Sequence, residues 1–141
     1  MTAVLLDTDI LSEVLKGKDP NVHAHFTRYL AFHSEVSFTS ATVMEIMAGY
    51  RKRGASLQAQ RADGLFMQNN EVVPEAADYR LAAQIIGDLL KKGKGIGMVD
   101  PLIAACAIRR GYGIASGNTV HFGYIREVGY QFELVNWRNA D

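Results

Sequence analysis

The chain has 141 residues, 15 Lys and Arg against 15 Asp and Glu, and 48% hydrophobic residues. That length predicts one domain, residues 1–141, with a core large enough to need no staples. The single cysteine, Cys106, excludes an internal disulfide and points to a reducing cytoplasm, and no apolar run is long enough for a membrane span or a signal peptide.

The apolar run Ala3-Val4-Leu5-Leu6, ended by Asp7, reads as a buried strand. Thr8-Asp9 opens a short helix to about residue 16, and Gly17 closes it. A second helix covers residues 20–33, with Phe26, Tyr29, Leu30 and Phe32 among its apolar positions. Residues 36–39 form strand two. Ser40 is a suitable N-cap for a helix over 41–53, which Gly54 terminates. Another helix spans 56–68. Val72-Val73 is a short third strand, and Pro74 starts a helix over 75–92 whose buried stripe is Ala77, Leu81, Ile85 and Leu89. Gly93, Gly95 and Gly97 form a flexible connector. Asp100 then caps a helix with Pro101 at its first position, running to about residue 110. Residues 113–115 and 132–135 are strands four and five. Strands alternate with helices, which predicts an α/β fold: a three-layer α/β/α sandwich around a mainly parallel sheet.

Three carboxylates stand out against this layout. Asp7 ends strand one, Glu45 lies one and a half turns past strand two, and Asp100 heads a helix. In open parallel sheets the ligand crevice lies outside the carboxyl ends of the strands, where all three can meet. Clustered carboxylates repel one another, and a hard divalent cation such as Mg²⁺ or Mn²⁺ relieves that repulsion. Taken singly, each acid also has an ordinary explanation: a turn residue, an exposed helix residue and an N-cap.

Other side chains carry weaker signals. Arg51-Lys52-Arg53 and Lys91-Lys92-Gly93-Lys94 are either helix ends whose cations complement the dipole or phosphate contacts. His23 and His25 have zinc-ligand spacing without a third ligand, so a solvated helix face is the simpler reading. Cys106 sits among small residues and reads as core. His121 reads as packing beside Phe122, with substrate contact as the alternative. The glycine connector lacks a phosphate-loop pattern.

Four segments in order give the chain a family resemblance: Leu5-Leu6-Asp7-Thr8-Asp9-Ile10-Leu11, Ser40 to Gly49 around Glu45, Gly97 to Ala105 around Asp100-Pro101, and Ser116-Gly117-Asn118-Thr119-Val120-His121-Phe122. Together they resemble the PIN-domain nucleases, and within them the VapC-type toxins of bacterial toxin–antitoxin pairs. The resemblance implies an acidic catalytic site at Asp7, Glu45 and Asp100, with Asn118 at a fourth metal-binding position. Many relatives carry Asp there; Asn adds no charge, which weakens the case for a tightly bound second metal. Thr8 or Ser116 would bond metal-bound water or phosphate.

The resemblance also implies a Mg²⁺- or Mn²⁺-dependent endoribonuclease that cuts tRNA or ribosomal RNA. Such a protein dimerises and is silenced by a cognate antitoxin whose peptide fills the active-site groove. Glu45 is then either a metal ligand or the group that orients the attacking water. Two other functions compete. Asp-Thr-Asp-Ile-Leu after an apolar strand is similar to the start of a haloacid-dehalogenase phosphatase, with Asp7 as nucleophile and Asp9 as acid, although the later lysine and paired acids of that family are not convincingly placed. A non-catalytic interaction module would be marked by loss of one of the three acids, and all three are present.

Overall fold

The computed structural model describes residues 1–140. Five short strands, β1 (Val4–Leu6), β2 (Ser37–Thr39), β3 (Asn70–Val72), β4 (Gly113–Ala115) and β5 (Leu134–Val135), alternate with seven helices. These are α1 (Thr8–Lys16), α2 (Pro20–His33), α3 (Ser40–Arg53), α4 (Ser56–Gln68), α5 (Ala76–Lys91), α6 (Val99–Arg110) and α7 (Thr119–Glu127). The strands form one sheet in the order β3-β2-β1-β4-β5, with every neighbouring pair parallel. The α/β expectation holds, and the sheet is wholly parallel.

Parallel strands need crossover connections, and here each of the first three crossovers contains two helices. Side chains alternate across β1, so its two faces feed two cores. Leu5, with Ile114 of β4, packs among Ala82, Ile85 and Leu89 of α5, residues 102–107 of α6, and Phe122 and Ile125 of α7. Val4 and Leu6, with Phe38 of β2, face Ile10 and Leu11 of α1, Val22 and Tyr29 of α2, Ile46 of α3, and Ala62 and Phe66 of α4. Trp137, beyond β5, closes this second core and stacks against His25. His25 is thereby part of the α2 packing rather than a solvated face. Cys106 is fully buried, as its neighbours implied.

Several boundaries move for identifiable reasons. Thr39, not Ser40, caps α3 by accepting the Thr42 N–H, while the Ser40 hydroxyl donates to Glu71 at 2.6 Å. The α5 stripe runs through Asp78, Ala82, Ile85 and Leu89. Asp78 and Ala82 stand where Ala77 and Leu81 were expected, Ile85 and Leu89 are buried as read, and Asp78 turns inward where Arg109 and Arg110 of α6 each donate to its Oδ1 at 2.9 Å. Asp78 also accepts the Glu75 N–H at 2.8 Å, closing a capping box at the start of α5. Strand three begins at Asn70 and strand five shortens to two residues. Helix α7 was not expected from the sequence.

Candidate active site at the carboxyl edge of the sheet

The strand order reverses between β1 and β4, so the crevice of this sheet opens where those two strands end. Leu6 pairs with Ala115, and the Asp7 N–H donates to the Ala115 carbonyl at 3.0 Å. Asp7 and Ser116 are therefore equivalent positions, each one step past a central strand. The Ser116 hydroxyl donates to Asp7 Oδ2, and Asp7 Oδ1 accepts the Ile10 N–H at 2.9 Å, capping α1. Asp7 is thus both the end of a strand and an N-cap, and it is 3% exposed. Burial pushes its carboxyl up to about 7; the bonds from Ser116 and Ile10 oppose that rise, and the nearby charges of Asp9 and Asp100 add to it.

Asp100 is not an N-cap. Met98 holds that position, so Asp100 and Pro101 fall within the first turn of α6, where proline removes an N–H that has no helical acceptor. Its carboxylate is left for the site: Oδ2 accepts from Asn118 Nδ2 at 3.3 Å and from His121 Nδ1 at 2.9 Å. Asn118 is the hinge of this cluster. Its backbone N–H donates to the Ser116 hydroxyl at 2.8 Å, and its side-chain oxygen caps α7 through the His121 N–H at 3.2 Å. A continuous run of hydrogen bonds therefore joins Asp7, Ser116, Asn118, Asp100 and His121. The first turns of α1, α6 and α7 all adjoin it, and their partial positive ends favour anionic groups.

Glu45 joins from the other side. It is exposed on α3, and Thr8 Oγ1 donates to its Oε1. Thr8 follows Asp7 directly, so the three acids flank one short stretch of β1–α1. His121 belongs to the cluster through Asp100, which corrects its reading as a packing residue. An expected helix over 119–127, with Asn118 as its cap, would have placed that ring in the first turn beside the site.

Asp9 faces a different partner. Its Oδ2 accepts from Arg138 Nε at 3.2 Å, and Arg138 Nη2 donates to its Oδ1. This two-pronged pair ties the C-terminal segment to the start of α1. Gly117 makes room for it: a Cβ there would collide with Asp9 Oδ2 and lie 3.0 Å from Arg138 Nε. Arg138 gave no signal in the sequence, because its partner is 129 residues away.

Among the described residues, no three His, Cys, Asp or Glu side chains converge closely enough to hold an ion between them. The donor chemistry nonetheless fits a hard divalent cation. Asp7, Asp100 and Glu45 offer carboxylate oxygens and Asn118 an amide oxygen. Among the described residues, no Lys, Arg or His lies within ion-pair distance of Asp7 or Glu45.

The PIN domain model matches residues 4–123, and the chain belongs to that family. It is 28% identical over 123 residues to a tRNA(fMet)-specific endonuclease VapC of Shigella flexneri, covering 86% of this chain and 91% of that one. Its fold is similar to DNA-bound VapBC from Salmonella typhimurium, with a TM-score of 0.77, 23% identity and coverage of 97% and 99% of the two chains. It is likewise similar to VapBC2 from Rickettsia felis bound to a promoter DNA fragment, with a TM-score of 0.81, 18% identity and coverage of 96% and 98%.

Proposed function

We propose that this protein is a metal-dependent endoribonuclease acting as the toxin of a toxin–antitoxin pair, one PIN domain spanning the chain. The observation that carries this reading is the hydrogen-bonded run from Asp7 through Ser116 and Asn118 to Asp100, at the topological switch point of a PIN-family sheet. The Shigella relative's specificity supports a tRNA substrate. The VapBC neighbours support a cognate antitoxin. We further read the protein as a cytoplasmic homodimer; among the described residues no helix is long and apolar enough to cross a membrane.

In this reading Asp7 and Asp100 would hold Mg²⁺ or Mn²⁺, with Glu45 and Asn118 as further oxygen donors. The bound ion would neutralise charge on the phosphate and make a coordinated water more acidic. Ser116 and Ile10 fix Asp7, while His121 and Asn118 fix Asp100, so both carboxylates are presented in set orientations. Glu45 is exposed with one oxygen held by Thr8, suited to aligning the attacking water. Water adds to phosphorus, the bond to one ribose oxygen breaks, and that oxygen leaves with a proton. Asp9 does not serve as the acid of a phosphatase here, since Arg138 engages both its oxygens.

The test is cleavage of single-stranded and tRNA substrates by purified protein, with Mg²⁺ or Mn²⁺ and with EDTA. Asp7→Asn or Asp100→Asn should each lower the rate about 10²–10³-fold, since charge stabilisation at such sites is worth several kcal/mol. Equal cleavage by wild type and both variants would sink the reading. Phosphomonoesterase activity without RNA cleavage would transfer the case to the phosphatase class.

A further inference from the structure

A groove of about 340 Å³ runs from the site between α1, α3 and α4. Thr8 and Glu45 form its acidic end. Along α3 the same face carries Gly49, Tyr50 and Arg53, reaching about 12 Å from Glu45 at 1.5 Å per residue. Arg61 of α4 and Lys16 of α1 also line it. Lys16 is partly neutralised by Glu13 at 3.3 Å. Arg53 and Arg61 differ: among the described residues, no carboxylate lies within ion-pair distance of either.

The ordinary explanation for such cations is that they complement a helix C-terminus. It accounts for Arg53, in the last turn of α3, but not for Arg61, which lies in the middle of α4. Arg53 is exposed but folds back along its own helix. Its guanidinium lies 5.3 Å from the centre of the Tyr50 ring. A Cβ on Gly49 would touch Arg53 Nη1 at 3.4 Å, so the glycine leaves the groove floor low beneath it. The basic run Arg51-Lys52-Arg53 is consequently split: Arg51 lines an adjoining hollow with Met47 and Ala59, on the other side of Tyr50, and only Arg53 of the run lines the groove.

We propose that this groove is a subsite for single-stranded RNA flanking the scissile phosphate. Arg53 and Arg61 hold backbone phosphate, and the Arg53–Tyr50 pair offers flat surfaces for a base. The proposal rests on the ribonuclease reading and specifies where its substrate lies. Uncompensated guanidinium groups beside an aromatic ring, opening onto an acidic centre, match a strand of phosphates and bases. An acidic peptide would use the cations but has less need of the ring.

The experiment measures binding of a short oligouridylate to the full-length protein in EDTA, across a range of KCl concentrations. This arm does not depend on cleavage. Arg53→Gln and Arg61→Gln should each weaken binding about 3- to 10-fold and flatten the salt slope by about 0.7 per lost phosphate contact. Arg51→Gln should leave the slope unchanged. Gly49→Leu should fill the groove and weaken binding while the melting temperature holds or rises, because leucine is the better helix former.

In the cleavage arm, the two arginine variants should raise KM for a long RNA. They should leave kcat near wild type and cleavage of a dinucleotide unaffected. Unchanged salt slopes for both arginine variants, or an equal loss in Arg51→Gln, would overturn the subsite. So would loss of acidic-peptide binding in the variants while RNA binding persists. Arginine-dependent RNA binding by a protein that cuts no RNA would keep the subsite and defeat the enzymatic reading. Cleavage indifferent to both arginines would do the reverse.

Discussion

Burial of the Asp7 carboxyl, pushed up to about 7, has a consequence for stability that can be signed. A folded-state pKa above the unfolded value means the folded chain holds the proton over a window where the unfolded chain has released it. Stability of the metal-free protein therefore falls as pH rises from about 4 to about 7, by roughly 4 kcal/mol in total, and levels off above. Asp7→Asn keeps an oxygen for the Ile10 N–H and cannot ionise. In EDTA it should melt several degrees above wild type at pH 8 and by clearly less at pH 5; the same difference at both pH values would refute the argument. His121 is the second residue with a separable role. His121→Ala removes a donor from Asp100 and should weaken Mn²⁺ binding about 10–100-fold in a calorimetric titration. Unaltered affinity would make the ring a bystander.

At the scale of elements, α5 and α6 are joined by a buried charge rather than by apolar packing alone. Burial raises the Asp78 carboxyl, but bonds from Arg110, the Glu75 N–H and Arg109 outweigh it and hold the group well below the usual carboxylate range. The stability this contributes is present above about pH 4, the unfolded value, and is lost as pH falls toward the lower folded one. Asp78→Ala should cost about 3 kcal/mol and leave two arginines facing a hole, lowering the melting temperature by roughly 6–12 °C at pH 7. A much smaller drop would show that the arginines turn to solvent at little cost.

The same cluster explains what the sequence concealed. Apolar spacing located α5 and its buried Ile85 and Leu89 but set the first half of the stripe one residue early, because an inward aspartate is invisible without its partners on α6. Asp7 and Glu45 were legible from local context, a strand end and a helix start. Asp100 was legible as a residue and misread as a cap, because aspartate before proline commonly starts a helix. Helix α7 buries only Phe122 and Ile125, contains Gly123, and shows little periodicity; the Asn118 cap and packing against α6 hold it. His121 was obscured for the same reason.

For the molecule as a whole, a cation that binds only the folded site must stabilise it by mass action. Millimolar Mn²⁺ or Mg²⁺ should raise the melting temperature of wild type, and the rise should shrink in Asp100→Asn. An equal rise in both proteins would place the ion elsewhere. The comparison is cleanest against the EDTA baseline, where no divalent cation offsets the charge that Asp100 places near Asp7.

The pairing of β1 with β4 also governs when the protein can act. Asp7 and Ser116 are 109 residues apart, yet they bond directly. During synthesis β3, β2 and β1 can associate first, leaving one edge of β1 open until residues 113–115 arrive. Contacts this distant in sequence form late. A nascent chain thus carries Asp7 and Glu45 long before Asp100, Ser116 and Asn118 exist beside them. Harm to the cell's RNA is withheld until translation of the chain is nearly finished, and a ribosome-stalled product ending before β4 should leave added RNA intact.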